Sequence, residues 1–334
     1  MALDTSAPVL VAGGGGFIGG ALAAELLKRG FTDVRVADVK PVDRWYQVHD
    51  AADNRVLDLS EKADAYEAAE GRQYIFNLAA DMGGMGFIEN NKAACMLSVL
   101  PTTFMLMAAR DQGAERLFYA SSACVYPGER QDSPEIVALR EAEAYPADPE
   151  DGYGWEKLFG ERMARHFSED YDLEARVARY HNVYGPYGTW DGGREKAPAA
   201  ICRKVADAVL SGTGRIEIWG DGQQTRSFMY IDDCVEGTLR LTASDVDEPL
   251  NIGSSELVTI NQLVDIVEGF EGVTLERDYK LDAPQGVRGR NSDNALIQDK
   301  LSWEPSIPLR DGMRKTYDWI KQQMLEKRGA GVSA

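Results

Sequence analysis

A run of four glycines near the start of the chain constrains its fold more than any other feature. Segment 13–19 reads Gly-Gly-Gly-Gly-Phe-Ile-Gly and follows a short apolar stretch, 9–12. Residues 17–29 have the composition of a helix, and Gly30 is typical of the residue that ends one. Glycines permit a sharp turn and let a phosphate approach the start of the helix. The pattern therefore favours a dinucleotide-binding strand, turn and helix over a turn that is merely tight.

The second predicted strand, 34–38, ends on Asp38, which lies 19 residues after Gly19. Its carboxylate would accept hydrogen bonds from an adenosine ribose and repel a 2′-phosphate, so the sequence favours NAD over NADP. Asp58 and Leu59, at the end of a third predicted strand, either flank the adenine or belong to an ordinary loop. The cofactor-binding residues predicted along this half-site are Gly13, Gly16, Phe17, Ile18, Gly19, Asp38, Asp58, Leu59 and Ala79.

Predicted strands and helices alternate through the first half of the chain, which is the pattern of an α/β protein. Repeated strand–helix units predict a Rossmann-type doubly wound parallel sheet, with ligands beyond the carboxyl ends of its strands. One long predicted helix, 86–112, contains Pro101, which should kink it or mark a break. We predict a NAD-binding domain over 1–182 to which 227–253 returns, a smaller discontinuous substrate-binding lobe over 183–226 and 254–326, and a flexible tail over 327–334.

Charge and cysteine content argue against several partners and locations. The 36 basic and 54 acidic residues give a net charge of −18, which repels nucleic acids and anionic membranes. The four cysteines, at 95, 124, 202 and 234, show no C-x-x-C spacing and are predicted to be reduced thiols in the cytoplasm. Segment 9–27 lacks the basic start of a signal peptide, and we expect no other segment to be long and apolar enough to span a bilayer. Three histidines without metal-ligand spacing predict no metal.

Tyr153 and Lys157 lie four residues apart, so on a helix they share one face. A nearby ammonium lowers the pKa of a tyrosine, which can then accept the proton of an alcohol. The pattern is common by chance, but here it follows a cofactor half-site and the strand-end segment Ser-Ser-Ala-Cys at 121–124. The chain resembles an extended short-chain dehydrogenase/reductase. Ser122, Tyr153 and Lys157 match that superfamily's catalytic triad, and the last two are also expected to contact the cofactor.

Two further side chains, Cys124 and Lys196, could exchange a proton at a carbon beside a ketone. A thiol with an ordinary pKa of about 8.5 is a usable base next to a cation, and lysine, at about 10.4, is a natural acid. Each has a plainer alternative. Cys124 could be a small buried apolar residue, and Lys196 a solvated surface lysine.

Five longer segments resemble the GDP-mannose 3,5-epimerase family more than the superfamily at large. They are 77–88, beginning Asn-Leu-Ala-Ala-Asp, 121–127, Ser-Ser-Ala-Cys-Val-Tyr-Pro, 192–200, beginning Gly-Gly-Arg-Glu-Lys, 220–227, Gly-Asp-Gly-Gln-Gln-Thr-Arg-Ser, and 286–294, beginning Gly-Val-Arg-Gly-Arg. The similarity runs from about residue 9 to about residue 320. Pro101 and Trp155 depart from the family pattern, and neither change removes a reactive group.

The resemblance implies a transient oxidation of the sugar of GDP-D-mannose. Tyr153 would take the proton of the C4 hydroxyl while the C4 hydride passes to NAD, and the resulting 4-ketone would acidify the hydrogens at C3 and C5. Cys124 would remove a proton from one face and Lys196 would return one to the other. Return of the hydride would yield GDP-L-galactose or GDP-L-gulose with the cofactor unchanged.

The resemblance also assigns substrate contacts. Lys204, Arg226 and Arg288 would hold the diphosphate, although isolated arginines are more often surface ion-pair partners. The substrate-binding residues that it implies are Gly83, Ser122, Ala123, Cys124, Asn182, Glu195, Lys196, Ala197, Lys204, Gln224, Thr225, Arg226, Ser227 and Arg288. The acidic segment 129–151 either caps the sugar pocket or is a solvated insertion. A homodimer through a helix pair that includes the Tyr153 helix is usual for this superfamily.

Two other functions stay open as alternatives. Another sugar-nucleotide epimerase, or a GDP-fucose-synthase-like epimerase/reductase, shares the Ser-x-Cys arrangement, but Asp38 argues against the NADPH that such a reductase consumes. A catalytically silent NAD-binding regulator would not need Tyr153, Cys124 and Lys196 intact. The sequence leaves open the product ratio and the pathway, whether towards ascorbate or towards a polysaccharide.

Overall fold

Seven parallel strands form the central sheet of the protein. A computed structural model describes residues 3–135, 137–284 and 286–331 of the chain. The strands along the chain are β1 (Val9–Ala12), β2 (Val34–Asp38), β3 (Asp53–Val56), β4 (Tyr74–Asn77), β5 (Arg116–Ser122), β6 (Glu174–Tyr180), β7 (Val183–Tyr184), β8 (Arg215–Trp219), β9 (Thr225–Ser227), β10 (Met229–Tyr230), β11 (Leu250–Ile252), β12 (Leu257–Thr259), β13 (Glu276–Lys280) and β14 (Gly289–Arg290). The central sheet has the order β11-β6-β5-β4-β1-β2-β3, and each neighbouring pair is parallel. This confirms the predicted doubly wound α/β fold.

Helices cover both faces of the central sheet. They are α1 (Phe17–Lys28), α2 (Lys62–Ala69), α3 (Met85–Asn90), α4 (Lys92–Met96), α5 (Val99–Asp111), α6 (Asp151–Tyr171), α7 (Ala197–Ser211), α8 (Ile231–Ala243), α9 (Ile260–Glu271), α10 (Ala295–Leu301) and α11 (Leu309–Gly331). Val9 and Val11 pack in the core on the side of α1 and α8, whereas Leu10 and Ala12 pack on the side of α2, α5 and α6. Alternate strand residues point to opposite faces, so a strand covered on both sides is apolar throughout.

The long helix predicted over 86–112 is divided into α3, α4 and α5. The last break lies just before Val99, and Pro101 occupies the first turn of α5. The first N–H groups of a helix have no intrahelical acceptor, so a proline there removes no hydrogen bond. Pro101 thus marks a break, as predicted, while the further break at Asn91 is not indicated by the sequence pattern.

The helical run Lys92–Asp111, formed by α4 and α5, is long and apolar enough to cross a membrane, with a mean hydropathy of 1.4 over its most apolar window. The expectation that no such segment exists is therefore wrong by this criterion. Core helices of soluble proteins meet the same criterion, and 44% of that window is buried, where α5 packs against α2 and α6. Length and composition alone are weak support for a membrane span.

A smaller lobe forms from segments after β6. In it β9, β12 and β14 make a three-stranded sheet, β8 pairs with β13, and α7, α9 and α11 pack together. β11 instead lies at the edge of the central sheet beside β6. The predicted domain boundaries stay predictions. Residues 327–331, assigned from the sequence to a flexible tail, continue α11, where Arg328 pairs with Asp207 at 2.9 Å, and 332–334 lie outside the described residues.

The acidic segment 129–151 packs against the small lobe. Gln131 is buried, and its side-chain oxygen accepts a hydrogen bond from Arg290 Nε at 2.6 Å. Leu139 is also buried, and its backbone N–H donates to the carbonyl oxygen of Asn291. Of the two alternatives left open by the sequence, these contacts favour a cover over the region around Arg290.

Candidate active site

The turn between β1 and α1 has room for a ligand because it carries no side chains. Gly13 has a φ of +82°, and a Cβ there would lie 2.9 Å from the backbone nitrogen of Ala79, just after β4. A Cβ on Gly19 would lie 2.4 Å from the carbonyl oxygen of Gly13. No side chain caps α1 at Gly16, so the N–H groups of the first turn, which begins with Phe17, are available to a phosphate. This cradle fits a pyrophosphate.

Asp38 lies at the carboxyl end of β2 and is buried. Its Oδ1 accepts a hydrogen bond from the backbone nitrogen of Lys40 at 2.9 Å, and its second oxygen lies 4.0 Å from Lys40 Nζ. A carboxylate at this strand end suits the ribose hydroxyls of NAD. Asp58 accepts hydrogen bonds from the backbone and hydroxyl of Ser60, at 3.0 and 2.6 Å, so it stabilises its own turn, while Leu59 is buried. Together with the glycine cradle, Asp38 makes this region fit NAD.

Ser122, Tyr153 and Lys157 come together where β5 ends beside the first turns of α6. Lys157 Nζ lies 5.6 Å from the centroid of the Tyr153 ring and 3.5 Å from a carboxylate oxygen of Glu156. Burial, and next the charge of Cys124, raise the pKa of Tyr153 well above its usual range, whereas the Ser122 hydroxyl acts to lower it. An ammonium beside the ring also favours the phenolate, and this is the direction that proton abstraction requires.

Cys124 lies in the helical turn 123–125 that follows β5, and it is buried. Its backbone nitrogen donates to Ser122 Oγ at 3.2 Å, and its Sγ accepts a hydrogen bond from Arg290 Nη1 at 3.6 Å. Burial raises the pKa of the thiol and Glu150 raises it further, whereas Arg290 lowers it. Arg290 therefore supplies the cation that stabilises a thiolate.

Lys196 directly precedes α7. Burial lowers the pKa of its ammonium, and the nearby charge of Cys124 acts against that shift, so the two side chains share one electrostatic environment. The loop before Lys196 is held by a hydrogen bond from the Gly84 nitrogen to the Arg194 carbonyl oxygen, 3.0 Å, and by an ion pair between Arg194 and Asp81, 2.8 Å. A lysine with a lowered pKa gives up its proton more readily.

Several predicted substrate residues lie together at β9. Arg226 is buried and donates to the carbonyl oxygens of Thr225 and Val287. Burial, and next the charge of Arg290, lower the pKa of Arg226 to about 9. Among the described residues, Gln224 Oε1 and the Ser227 hydroxyl are buried without a hydrogen-bond partner. Buried polar atoms are rarely left unpaired, so this edge of the small lobe suits a polar ligand.

The other predicted substrate residues fall into two groups. Lys204 and Arg288 are held in ion pairs with Glu217 and Asp221, at 3.2 and 3.0 Å, on the small lobe. The others adjoin Cys124, Lys196 or β9. Ala123, Glu195 and Ala197 are chain neighbours of Cys124 and Lys196, Gly83 precedes the Gly84 that bonds to the loop before Lys196, and Asn182 Nδ2 donates to the carbonyl oxygen of Ser227 at 3.1 Å. The contacts of both groups with a substrate stay predictions.

Two side chains around Cys124 were not singled out by the sequence, Glu150 and Arg290. The only signals for them were the position of Arg290 two residues after Arg288 and that of Glu150 three residues before Tyr153. Within the described residues, no group of three or more His, Cys, Asp or Glu side chains could hold a metal ion.

Known proteins resemble this chain over almost its whole length. The profile of the NAD dependent epimerase/dehydratase family matches residues 9–253. GDP-mannose 3,5-epimerase 1 of Oryza sativa subsp. japonica is 47% identical over 325 residues, which are 97% of this chain and 84% of that protein. Putative GDP-L-fucose synthase 2 of the same plant is 30% identical over 94% of this chain and 87% of that protein.

A solved structure gives the same picture of the fold. MoeE5 in complex with UDP-glucose and NAD is 27% identical, has a TM-score of 0.79, and covers 95% of this chain and 99% of its own. The extent of these similarities, together with the glycine cradle and the set of Ser122, Tyr153 and Lys157, identifies the family of this chain. It belongs to the NAD-dependent epimerase/dehydratase family and, within that family, to the GDP-mannose 3,5-epimerases.

Proposed function

We propose that this protein converts GDP-D-mannose to GDP-L-galactose, and to GDP-L-gulose, by transient oxidation at C4 and proton exchange at C3 and C5. The observation that carries the proposal is the thiol of Cys124, buried against Arg290 beside Ser122 and Tyr153. Oxidation and reduction of an alcohol alone would not require this thiol. A base next to the oxidised carbon is what epimerisation at neighbouring carbons requires.

The first step is removal of the proton from the C4 hydroxyl by Tyr153. NAD, when bound, supplies reversible hydride acceptance at that carbon. Ser122 orients the hydroxyl, and Lys157, 5.6 Å from the Tyr153 ring, stabilises the phenolate electrostatically. Burial of Tyr153 excludes water, which keeps the ketone from side reactions.

Proton exchange follows at the carbons on either side of the ketone. The thiolate of Cys124, paired with Arg290, takes a proton from one face of the sugar, and the ammonium of Lys196 gives a proton to the opposite face. The lowered pKa of Lys196 makes it a stronger acid than a free lysine. Return of the hydride to C4 completes a reaction without net redox change.

The substrate diphosphate is the proposed partner of the basic residues of the small lobe. Arg226 on β9 is buried, and burial together with the charge of the nearby Arg290 lowers the pKa of its guanidinium. A substrate phosphate would supply a negative charge beside Arg226, and the planar guanidinium suits phosphate oxygens. In a chain of net charge −18, this local reversal of sign favours a small anionic ligand over a polyanion.

Label exchange tests the proposal directly. When the NAD-loaded protein is incubated with GDP-mannose in deuterated water and no reductant, we expect deuterium at C3 and C5 of the recovered sugar and no net NADH. The label is read by mass spectrometry and proton NMR. Tyr153→Phe should incorporate none, because without the ketone the hydrogens on the neighbouring carbons are not acidic.

The alternatives predict different results in the same reaction. A sugar without deuterium would contradict the proposal and favour a silent NAD-binding regulator. Label at C5 without inversion at C3 would indicate a narrower epimerase. A GDP-fucose-synthase-like enzyme would consume NADPH, which the buried Asp38 at the end of β2 disfavours by repulsion of the 2′-phosphate.

We further propose that the protein is a homodimer through α6 and its neighbouring helices. Trp155 and Phe159 on α6 are exposed, as are Met96, Leu97 and Leu100 on the adjoining α4 and α5 region. Contiguous exposed apolar surface of this kind is rare on monomers and typical of interfaces. A second copy of the chain, with the same helices, is a self-complementary partner.

Replacing both α6 side chains is expected to separate the subunits. In Trp155→Glu/Phe159→Glu, two charges replace two large apolar side chains of the patch, so the mass measured by light scattering should fall from dimer to monomer. Val137→Glu is the control, since Val137 is exposed outside these helices. A monomeric wild-type protein at micromolar concentration would contradict the proposed dimer.

A cytoplasmic location is also proposed. It is supported by the four cysteines, which are all free and buried in this structure. Thiols used in this way are typical of reducing compartments.

A further inference from the structure

A buried carboxylate and the thiol of Cys124 share one guanidinium. Arg290 Nη2 lies 2.6 Å from Glu150 Oε1, and Arg290 Nη1 lies 3.6 Å from Cys124 Sγ. The side chains of Arg290 and Glu150 are only 6% and 15% exposed. The backbone N–H of Glu150 also donates to the carbonyl oxygen of Cys124 at 2.9 Å, so the two residues are fixed relative to each other. One cation therefore faces two groups that can each carry a negative charge.

In the resting site the proton belongs to sulfur. Burial acts to raise the pKa of Glu150, but Arg290 outweighs it and, with the Cys124 thiol, holds the pKa below its usual value. Burial raises the pKa of Cys124, and Glu150 adds to this. The other ionisable groups that face this pair are Arg226, Lys196 and Tyr153. Cys124 is thus a neutral thiol in the resting site. A second base must remove its proton before the sulfur can accept a proton from carbon.

The proposed function also requires the thiol to be reset within one catalytic cycle. Each inversion uses up a thiolate at Cys124 and an ammonium at Lys196, because one removes a proton from carbon and the other returns one. A second inversion in the same direction, on the other side of the ketone, needs both the thiolate and the ammonium again before C4 is reduced, so Lys196 must regain a proton from solvent and Cys124 must lose one. The proton on sulfur must therefore move to a neighbouring base.

We propose that Glu150 is this base and accepts the proton of Cys124 during the reaction. The Sγ–H bond breaks, an O–H bond forms on the Glu150 carboxylate, and Arg290 exchanges its ion pair with the carboxylate for one with the thiolate. The net charge of the three side chains stays constant, which matters because an uncompensated charge is costly in a buried site. Each proton that Cys124 takes from carbon adds one to this pair, and the partly exposed Glu150 releases one to solvent, which restores its carboxylate before the next transfer. This inference rests on the proposed epimerase function.

Glu150→Gln removes the proton acceptor and keeps the size of the side chain. In a single turnover of the NAD-loaded protein with GDP-mannose in deuterated water, wild type should place the second deuterium soon after the first. In Glu150→Gln, Arg290 pairs with the thiolate before the reaction begins, so the first label should still appear, and we expect the second label to follow roughly 10²–10⁴-fold more slowly, which is the range for loss of a proton-transfer group. Asp151→Asn is the matched control, because this neighbouring carboxylate is exposed and pairs with Lys92.

The pH dependence of Cys124 alkylation separates proton transfer from a structural role. Without the carboxylate, Arg290 pairs with the thiolate, so the rate of alkylation by iodoacetamide, mapped by mass spectrometry, should rise at lower pH than in wild type. If Glu150 had only a structural role at the start of α6, replacing it by glutamine would leave this pH profile unchanged. Oxidation at C4, followed by absorbance of NADH, reports separately whether Tyr153 is still in position.

The outcomes are distinguishable. Equal rates for the second label in Glu150→Gln and wild type would overturn the inference, as would an unchanged alkylation profile. If Glu150→Gln does not fold, Glu150→Asp decides: selective slowing of the second label supports the inference, and wild-type labelling overturns it. No label with the wild-type protein would instead overturn the proposed function.

Discussion

Cys124→Ala is expected to lower the rate of deuterium exchange at C3 and C5 by about 10²–10⁴-fold, which is the range for removal of a general base. Alanine fits the space of the buried thiol and cannot take up a proton. Ser122, Tyr153 and Lys157 do not depend on the sulfur for their positions, so C4 oxidation should persist. The measurement is the rate of label incorporation together with the absorbance of NADH formed on the protein.

The protein contains its own matched control for this prediction. Cys95 is a second buried thiol in the same apolar cluster as Cys124 and Tyr153, and Arg290 makes no described contact with it. Cys95→Ala should therefore exchange label at close to the wild-type rate. Retained exchange in Cys124→Ala would show that another side chain is the base. Loss of exchange in both variants would indicate a packing effect instead.

His181→Gln is expected to make the free energy of unfolding much less dependent on pH in the acidic range. His181 is fully buried, its Nε2 lies 3.1 Å from Asn251 Oδ1, and among the described residues its Nδ1 has no hydrogen-bond partner. Burial lowers the pKa of its ring to about 3, against about 6.5 in an unfolded chain. Between these values the unfolded state binds more protons, so the free energy of unfolding falls as pH decreases.

The size of this effect follows from the gap between the two pKa values. The whole gap corresponds to about 5 kcal/mol, of which about 2 kcal/mol is lost between pH 8 and pH 5. That is a large part of a typical stability of about 5–15 kcal/mol. Urea unfolding at both pH values should show that the free energy of unfolding falls less from pH 8 to pH 5 in His181→Gln than in wild type, by about 2 kcal/mol. His166→Gln, at an exposed position on α6, is the control. Equal pH dependence in wild type and His181→Gln would contradict the prediction.

The cofactor half-site was predictable because its chemistry is local in the chain. Gly13 to Gly19 form one turn, and Asp38 follows at the end of the next strand, so spacing alone brings them near one ligand. Tyr153 and Lys157 are likewise one helical turn apart. Helix breaks were harder to predict, since the break at Asn91 falls in the polar segment Glu-Asn-Asn-Lys at 89–92, which has no proline or glycine.

The surroundings of Cys124 were not predictable in the same way. Arg290 lies 166 positions away along the chain and reaches the thiol because β14 pairs with β9 beside the covering segment 129–151. Nothing local distinguishes Arg290 from Arg288, which pairs with Asp221 instead. The pKa of a buried thiol depends on such partners, so the sequence pattern could name Cys124 but could not say what controls its proton.

The sequence by itself determined the α/β fold, the preference for NAD and the set of reactive groups, because each rests on residues close together in the chain. Only the tertiary structure decided how Cys124, Glu150 and Arg290 are joined, because they lie in the turn after β5, directly before α6 and in β14. Burial and the shared cation of Arg290 together keep the proton on the sulfur of Cys124 in the resting site. Both exist only after these distant segments of the chain have packed together.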